Sequence, residues 1–378
     1  MKQTMTKRIM IVIGTRPDAI KLAPVIAALQ ARPRSFETVI CSTDQHDEML
    51  SQALATFDIE PHIRLRVMRP DQSLADLTAR LLPALDGAVS EIRPDRIIVQ
   101  GDTMTALTGA MIGFYGKIPV AHVEAGLRSH DRLNPFPEET LRRMITAIAD
   151  LHFAPTEVAA DALRLEGIAR AAIHVTGNTV VDALQAVRAK LNCDDGVSLV
   201  SPSVREMTDA PTPFILMTCH RRESFGAGLA AICRSIARIA TDHPQYRIIF
   251  PVHLNPNVQT QVRALLEHAK NITLIDPVTY PEMVWLLSKS RLVLSDSGGL
   301  QEEAPSFGVP LLVLRDATDR PEGIAANVAL LVGTNEDTIV ATANQLLSQP
   351  HPTMLPSHNP FGDGLAASRI ADILESTT

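Results

Sequence analysis

A chain of 378 residues, 46% hydrophobic and 20% charged, is long enough for two domains of ordinary size. Its net charge of −7 argues against a nucleic-acid or anionic-membrane surface, so cations that meet an anionic ligand must be gathered locally. No apolar run reaches the length of a membrane span, the N-terminus "MKQTMTKRIMIVIG" lacks a cleavable signal pattern, and the four scattered cysteines have no CxxC spacing, so the expectation is a cytoplasmic protein without structural zinc.

Taken in chain order, apolar runs suited to buried strands alternate with amphipathic stretches. Strands are predicted at Ile9–Ile13, Thr38–Cys41, Arg96–Gln100, Ile118–Val123, Leu151–Ala154 and Ile173–Thr176. Helices are predicted at Pro17–Gln30, Ser73–Ile92, Thr103–Tyr115, Glu138–Asp150 and Thr156–Glu166, with Pro24 expected to interrupt the first. The pattern returns with strands at Phe214–Thr218, Arg247–Phe250, Ile272–Ile275, Leu292–Ser295 and Leu311–Leu314. Helices at Gly228–Asp242, Asn257–Ala269, Pro281–Lys289 and Glu336–Ser348 separate these. Such alternation predicts parallel sheets covered by helices on both faces. The polar, Pro/Ser-rich segment 192–212 has no sustained period and is the expected linker between an N-terminal domain, 1–191, and a C-terminal domain, 213–360. Residues 361–378 are expected to form a C-terminal helix that crosses back to the N-terminal domain.

Ligands of doubly wound sheets bind at the carboxyl ends of strands, and the chemically suggestive motifs fall there. "IVIGTRPDAIKLAP" sets Arg16 and Lys21 beside such an end, either as a solvated turn or as holders of an anion. "IIVQGDTMTALTGA" brings Asp102 to another, as a helix cap or as a working carboxylate. In "VAHVEAGLRSHDRLNPFPEETLRR", Glu124 ends an apolar strand, and Glu138 and Glu139 open a helix whose dipole favours acidic residues. Carboxylates gathered from separate loops into one site would perturb one another. "MTCHRRESFGAGLAA" puts His220 and two arginines after a strand, as a basic surface turn or as diphosphate ligands. The Gly226–Ala231 match to a dinucleotide fingerprint fails, because "CHRRESF" separates it from the strand. "RLVLSDSGGLQEEAPSFGVP" ends a strand in a small-residue turn whose N–H groups suit a phosphate. Arg320 and Glu322 of "RDATDRPEGI" read equally well as a loop ion pair or as ligand contacts.

Together "GTRPDAIKLAP", "GDT", "HVEAGLR", "PFPEE", "TGNTVVD", "HRRESFG", "PVHLNPNV", "DSGGLQEEAPSFGVP" and "RDATDRPEG" resemble the non-hydrolysing UDP-N-acetylglucosamine 2-epimerases, in the family's order from Gly14 to Gly323. The resemblance implies a GT-B fold of two Rossmann-like domains and a homodimer, with no cofactor or metal. It implies interconversion of UDP-N-acetylglucosamine and UDP-N-acetylmannosamine through elimination of UDP, feeding cell-envelope polysaccharide synthesis. By motif, Asp102, Glu124, Glu138 and His220 fall on catalytic positions. Arg16, Lys21, His220, Ser297, Gly298, Gly299, Glu303 and Arg320 fall on nucleotide-sugar positions, with Glu303 expected on the ribose hydroxyls. Which carboxylate acts as acid and which as base stays open. Gln45 and His46 fall in the region where regulated members bind a second UDP-N-acetylglucosamine. Asp47 and Asp71 nearby are acidic where such members are expected to be basic or neutral, which argues against that control. Rival readings are a hydrolysing epimerase that releases free N-acetylmannosamine, a GT-B glycosyltransferase, and a non-catalytic sensor of sugar nucleotides.

Overall fold

The structure, a computed structural model, describes residues 6–44, 47–69, 72–193, 196–209, 211–219, 226–349 and 359–377. The chain divides into two compact units: Met1–Ala186 with Phe361–Thr378, and Val187–Pro360.

The first unit is built on a parallel sheet of strands β1 (Lys7–Ile13), β2 (Phe36–Ser42), β3 (Ile63–Arg64), β4 (Arg96–Gln100), β5 (Val120–Val123), β6 (Leu151–Ala154) and β7 (Ile173–Val175). Their spatial order is β3-β2-β1-β4-β5-β6-β7, so the direction of winding reverses between β1 and β4. Strands such as β4, buried on both faces from Ile97 to Gln100, read as continuous apolar runs because helices cover both sides of the sheet. Those helices are α1 (Arg16–Gln30), α2 (Asp47–Thr56), α3 (Leu74–Ile92), α4 (Met104–Tyr115), α5 (Glu138–Ile148), α6 (Glu157–Leu165) and α7 (Thr179–Leu191), which leads into the second unit.

The periodicity explains the packing. In α3, Leu77, Leu81, Leu85, Ala88 and Val89 recur at helical spacing and bury one stripe against Met10, Val12, Ile97 and Val99 of the sheet. Ser73 and Asp76 close its start as a capping box. Pro24 does not interrupt α1, contrary to the sequence expectation: the helix runs through it to Gln30. Buried neighbours Leu22, Ala23, Val25 and Ile26 anchor that turn to the core, which offsets the hydrogen bond proline cannot donate.

In the second unit, the end of α7 is followed by α8 (Pro202–Asp209), which lies inside the stretch read from sequence as a linker. There follow β8 (Phe214–Thr218), α9 (Ala227–Asp242), β9 (Arg247–Pro251), α10 (Pro256–Leu266), β10 (Ile272–Ile275), α11 (Tyr280–Lys289), β11 (Leu292–Ser295), α12 (Gly298–Glu303), β12 (Leu311–Val313), α13 (Pro321–Ala325), β13 (Ala329–Leu331) and α14 (Glu336–Leu347). The strand order is β10-β9-β8-β11-β12-β13, again parallel, with the reversal between β8 and β11. Its core joins Ile215, Met217, Phe250, Leu292 and Leu294 of the strands to Ile232, Ile236 and Ile239 of α9.

The last helix, α15 (Ala366–Ser376), belongs to the first unit and packs on α1. Lys7 Nζ donates to the carbonyls of Leu374 (2.9 Å) and Thr377 (2.7 Å), which satisfies end-of-helix acceptors otherwise left without partners.

Candidate active site

In the first unit, turns at the carboxyl ends of β1, β4 and β5 carry the candidate residues, on either side of the point where the winding reverses. After β1, Thr15 caps α1, and Asp18 completes a capping box. The Asp18 carboxylate accepts the N–H groups of Gly14 (2.9 Å) and Thr15 (3.0 Å) and the Thr15 hydroxyl (2.8 Å). The protein's own carboxylate thus occupies the anion position at this helix start, and an external anion here must be met by the guanidinium of half-buried Arg16.

Burial pushes the Asp18 carboxyl up to about 6 from its ordinary 3.8; the Thr15 hydroxyl and the two N–H donors oppose the rise, and Asp102 adds to it. Burial outweighs the donors because the group is fully enclosed. A carboxyl whose folded pKa lies above its unfolded one favours folding when protonated, and that contribution is lost as pH rises through about 6. Asp18→Asn keeps an acceptor oxygen for the two N–H groups but cannot ionise. Its melting temperature relative to the parent protein should therefore climb as pH goes from about 5 to about 7.5. A gap that stays constant across that range would show that Asp18 does not titrate there.

Asp102, just beyond β4, pairs with Arg142 of α5, whose Nε lies 3.0 Å from Oδ2 and whose Nη2 approaches the same oxygen. Arg142 is buried and also faces Glu139, 3.5 Å away. Of the two glutamates that open α5, Glu139 is the fully buried one; it accepts the Ser129 N–H (3.0 Å) and Arg143 Nε (2.9 Å). Glu138 is half-buried one residue before it.

Glu124 leaves β5 with φ of 63°, a conformation uncommon for residues other than glycine. Its side chain is only 6% exposed. Lys21 of α1, expected from sequence among the nucleotide-sugar residues, forms a buried ion pair with its Oε2. Gln100 Nε2 donates to Oε1 (3.1 Å), and Asn178 Nδ2 donates to Oε2 (2.8 Å). These neighbours are donors, which suits an ionised carboxylate.

Two residues upstream, His122 is wholly buried, with Nε2 2.7 Å from the Gly101 carbonyl oxygen. A carbonyl only accepts, so the proton sits on Nε2. Burial drives the His122 pKa down to about 3, so the ring is neutral near pH 7 and ties β5 to the Gly101-Asp102 turn without adding charge.

In the second unit, the corresponding turn follows β11. Ser295 Oγ lies 2.7 Å from Thr218 Oγ1 and accepts the Ser297 N–H (2.9 Å), which fixes the direction in which Ser297-Gly298-Gly299 leaves the sheet. Arg320, beyond β12, lies beneath that turn. A side chain on residue 298 would put Cβ 2.9 Å from Arg320 Cζ, so glycine is what permits the approach. Glu302 accepts Arg320 Nε (2.9 Å), and Asp319 pairs with Arg320 Nη1. Glu303, the expected ribose partner, is buried beside Glu302. His253, at the end of β9, accepts the Asn255 N–H at 3.1 Å, a local backbone role. His220, Gln45, His46 and Asp71 lie outside the described residues.

Arg142, Gln100, Asn178 and His122 were not singled out from the sequence as site residues. Asn178 lies within the recognised "TGNTVVD" and Arg142 in the turn of helix after Glu138, but only the folded positions reveal which carboxylates they meet.

Two doubly wound parallel sheets, each with its chemistry at strand carboxyl ends, define a protein of the two-domain GT-B class. Residues 27–375 match the model of the family described as UDP-N-acetylglucosamine 2-epimerase. UDP-N-acetylglucosamine 2-epimerases of Escherichia coli O157:H7 and Yersinia pestis are 46% and 45% identical over 371 residues, 98% of this chain and of each relative. The UDP-GlcNAc 2-epimerase of Neisseria meningitidis, solved bound to UDP-GlcNAc, is 40% identical with a TM-score of 0.90, covering 97% of this chain and 99% of that one. That of Methanocaldococcus jannaschii, solved with UDP-GlcNAc and UDP, is 33% identical with a TM-score of 0.83 over the same shares. The chain belongs to the UDP-N-acetylglucosamine 2-epimerase family.

Proposed function

We propose that the protein reversibly converts UDP-N-acetylglucosamine to UDP-N-acetylmannosamine by eliminating and re-adding UDP, as a cytoplasmic homodimer that supplies envelope polysaccharide synthesis. The observation that carries the reading is the set of carboxylates at strand ends, Asp102 and Glu124, each held by a buried cation of its own unit. A non-catalytic sensor has no need of that set, and a transferase, which deprotonates one acceptor hydroxyl, needs a single base.

The hydrogen on carbon 2 of the sugar has no adjacent carbonyl and is barely acidic. Departure of UDP from carbon 1 takes the bonding pair with it and leaves positive charge next door. The carbon 2 proton then passes to a carboxylate, and the remaining pair closes the double bond of 2-acetamidoglucal. UDP re-adds to carbon 1 while a proton reaches carbon 2 from the opposite face. This chemistry needs a proton donor and acceptor on the two faces of the ring, drawn from Asp102, Glu124 and Glu138. It also needs cations and N–H groups for the departing diphosphate, a contribution that usually exceeds any other single one. We assign these to Arg16, His220, Arg320 and the Ser297-Gly298-Gly299 turn, with Glu303 on the ribose and Lys21 acting through Glu124.

Gly298→Ala pushes against an Arg320 clamped by Glu302 and Asp319, and is expected to weaken UDP binding about tenfold; Arg320→Ala removes the cation and is expected to weaken it about 100-fold. Titration calorimetry with UDP checks both, and unchanged affinity in Arg320→Ala would remove that residue from the site. Incubation with UDP-N-acetylglucosamine and no acceptor tests the activity itself. Appearance of UDP-N-acetylmannosamine is the expected result. Accumulation of UDP with free N-acetylmannosamine would favour the hydrolysing reading, and an inert substrate would favour a transferase.

A further inference from the structure

We infer that Asn178 is a positioning residue for Glu124, aiming that carboxylate at the substrate from the point where the end of the chain rejoins the first unit. This rests on Glu124 being catalytic.

Asn178 is 2% exposed, and its polar atoms face in three directions. Nδ2 donates to Glu124 Oε2 at 2.8 Å, and Oδ1 accepts the Val180 N–H at 3.0 Å, capping α7. The backbone N–H donates at 2.7 Å to the carbonyl of Phe361, the first residue of the returning segment. That last bond requires unusually close backbones: a Cβ on residue 362 would lie 3.3 Å from Asn178 N, and Gly362 sits at φ +147°, where side chains are rarely accommodated. Phe361 itself is 1% exposed. The asparagine is therefore pinned on its backbone by the return segment and on its side-chain oxygen by α7, which leaves the Nδ2–H bond with one direction, toward Glu124.

Glu124 needs such a support. It leaves the strand in a left-handed conformation, and Lys21, a point charge on a flexible stem, attracts the carboxylate without orienting it. Planar amide donors do orient it: Gln100 on Oε1 and Asn178 on Oε2 define the plane of the carboxylate. Misplacement of a reacting group by about 1 Å costs about 100-fold in rate.

Two substitutions separate positioning from capping. Asn178→Asp and Asn178→Ser both keep an oxygen that caps α7, and both remove the Nδ2 donor to Glu124; aspartate adds repulsion, and the serine hydroxyl is one atom shorter and stops short of Oε2. We expect kcat to fall about 100-fold in Asn178→Ser and further in Asn178→Asp, with KM within about threefold and UDP affinity unchanged. Exchange of the carbon 2 hydrogen should fall in step with kcat while the serine variant, which keeps the cap but loses a buried hydrogen bond, remains folded at the assay temperature. Near-normal kcat in Asn178→Ser would overturn the proposal and leave Asn178 as a helix cap. If Asn178→Asp does not fold, the serine variant decides alone. Glu124→Ala is assayed alongside: should it keep its turnover, the reading of Glu124 as catalytic fails, a result distinct from a silent Asn178→Ser beside an inactive Glu124→Ala.

Discussion

Glu124→Gln is expected to lower turnover about 1,000-fold and to abolish exchange of the carbon 2 hydrogen with solvent, while UDP still binds. The amide is isosteric, so the shape of the strand end survives, but the substitution removes the carboxylate's charge, and with it the ability to take up and return a proton and the ion pair with Lys21. The neighbours add a stability cost to the change, which the melting temperature reads separately from exchange. Lys21, Gln100 and Asn178 all offer hydrogens to this carboxylate, and one terminus of a glutamine amide would present hydrogens back to them. The groups assigned to UDP, Arg16 of the first unit and His220, Arg320 and the Ser297-Gly298-Gly299 turn of the second, do not include that contact. Exchange measured by proton NMR and binding measured by calorimetry check the two halves separately, and normal exchange would remove Glu124 from the mechanism.

Lys21→Met should have the largest effect on stability. Both partners of the Lys21–Glu124 pair are more than nine-tenths buried, so deleting the ammonium leaves a carboxylate enclosed with amide partners but no cation from Lys21. Breaking a buried pair from one side costs about 3–5 kcal/mol. For a unit of this size that corresponds to a fall of about 10 °C in melting temperature. Combining Lys21→Met with Glu124→Gln removes both charges and should recover most of the lost stability, with no recovery of turnover. Such opposite behaviour of stability and activity in one double variant marks an ion pair kept for chemistry. A single Lys21→Met variant that melts like the parent would contradict the burial argument.

The sheets were legible because stretches such as Ile9–Ile13 and Leu292–Leu294 are uninterrupted apolar runs alternating with helices, a pattern that suits a doubly covered parallel sheet. Short strands at the edges were not. The two residues Ile63–Arg64 carry no period, and Ala329–Leu331 is too brief to be told from a loop. Helix α8 hid within a polar stretch because it buries only Val204. Of the site, the turns Gly14–Arg16, Gly101–Asp102 and Ser297–Gly299 stood out as strand-end motifs, since small residues between a strand and a helix are conspicuous. The groups that hold the carboxylates were not conspicuous. Arg142 sits in "ETLRRMITAI" as one of two adjacent arginines, and nothing local says that it is the buried one while Arg143 is partly exposed. Asn178 reaches Glu124 across 54 positions of sequence, a pairing that depends on β5 and β7 flanking β6.

Conversion of UDP-N-acetylglucosamine in heavy water, followed by proton NMR, tests the proposed chemistry most directly. The elimination route predicts UDP-N-acetylmannosamine carrying deuterium at carbon 2, because the proton lost to a carboxylate is replaced from solvent. Product that inverts at carbon 2 yet retains its original hydrogen would contradict it.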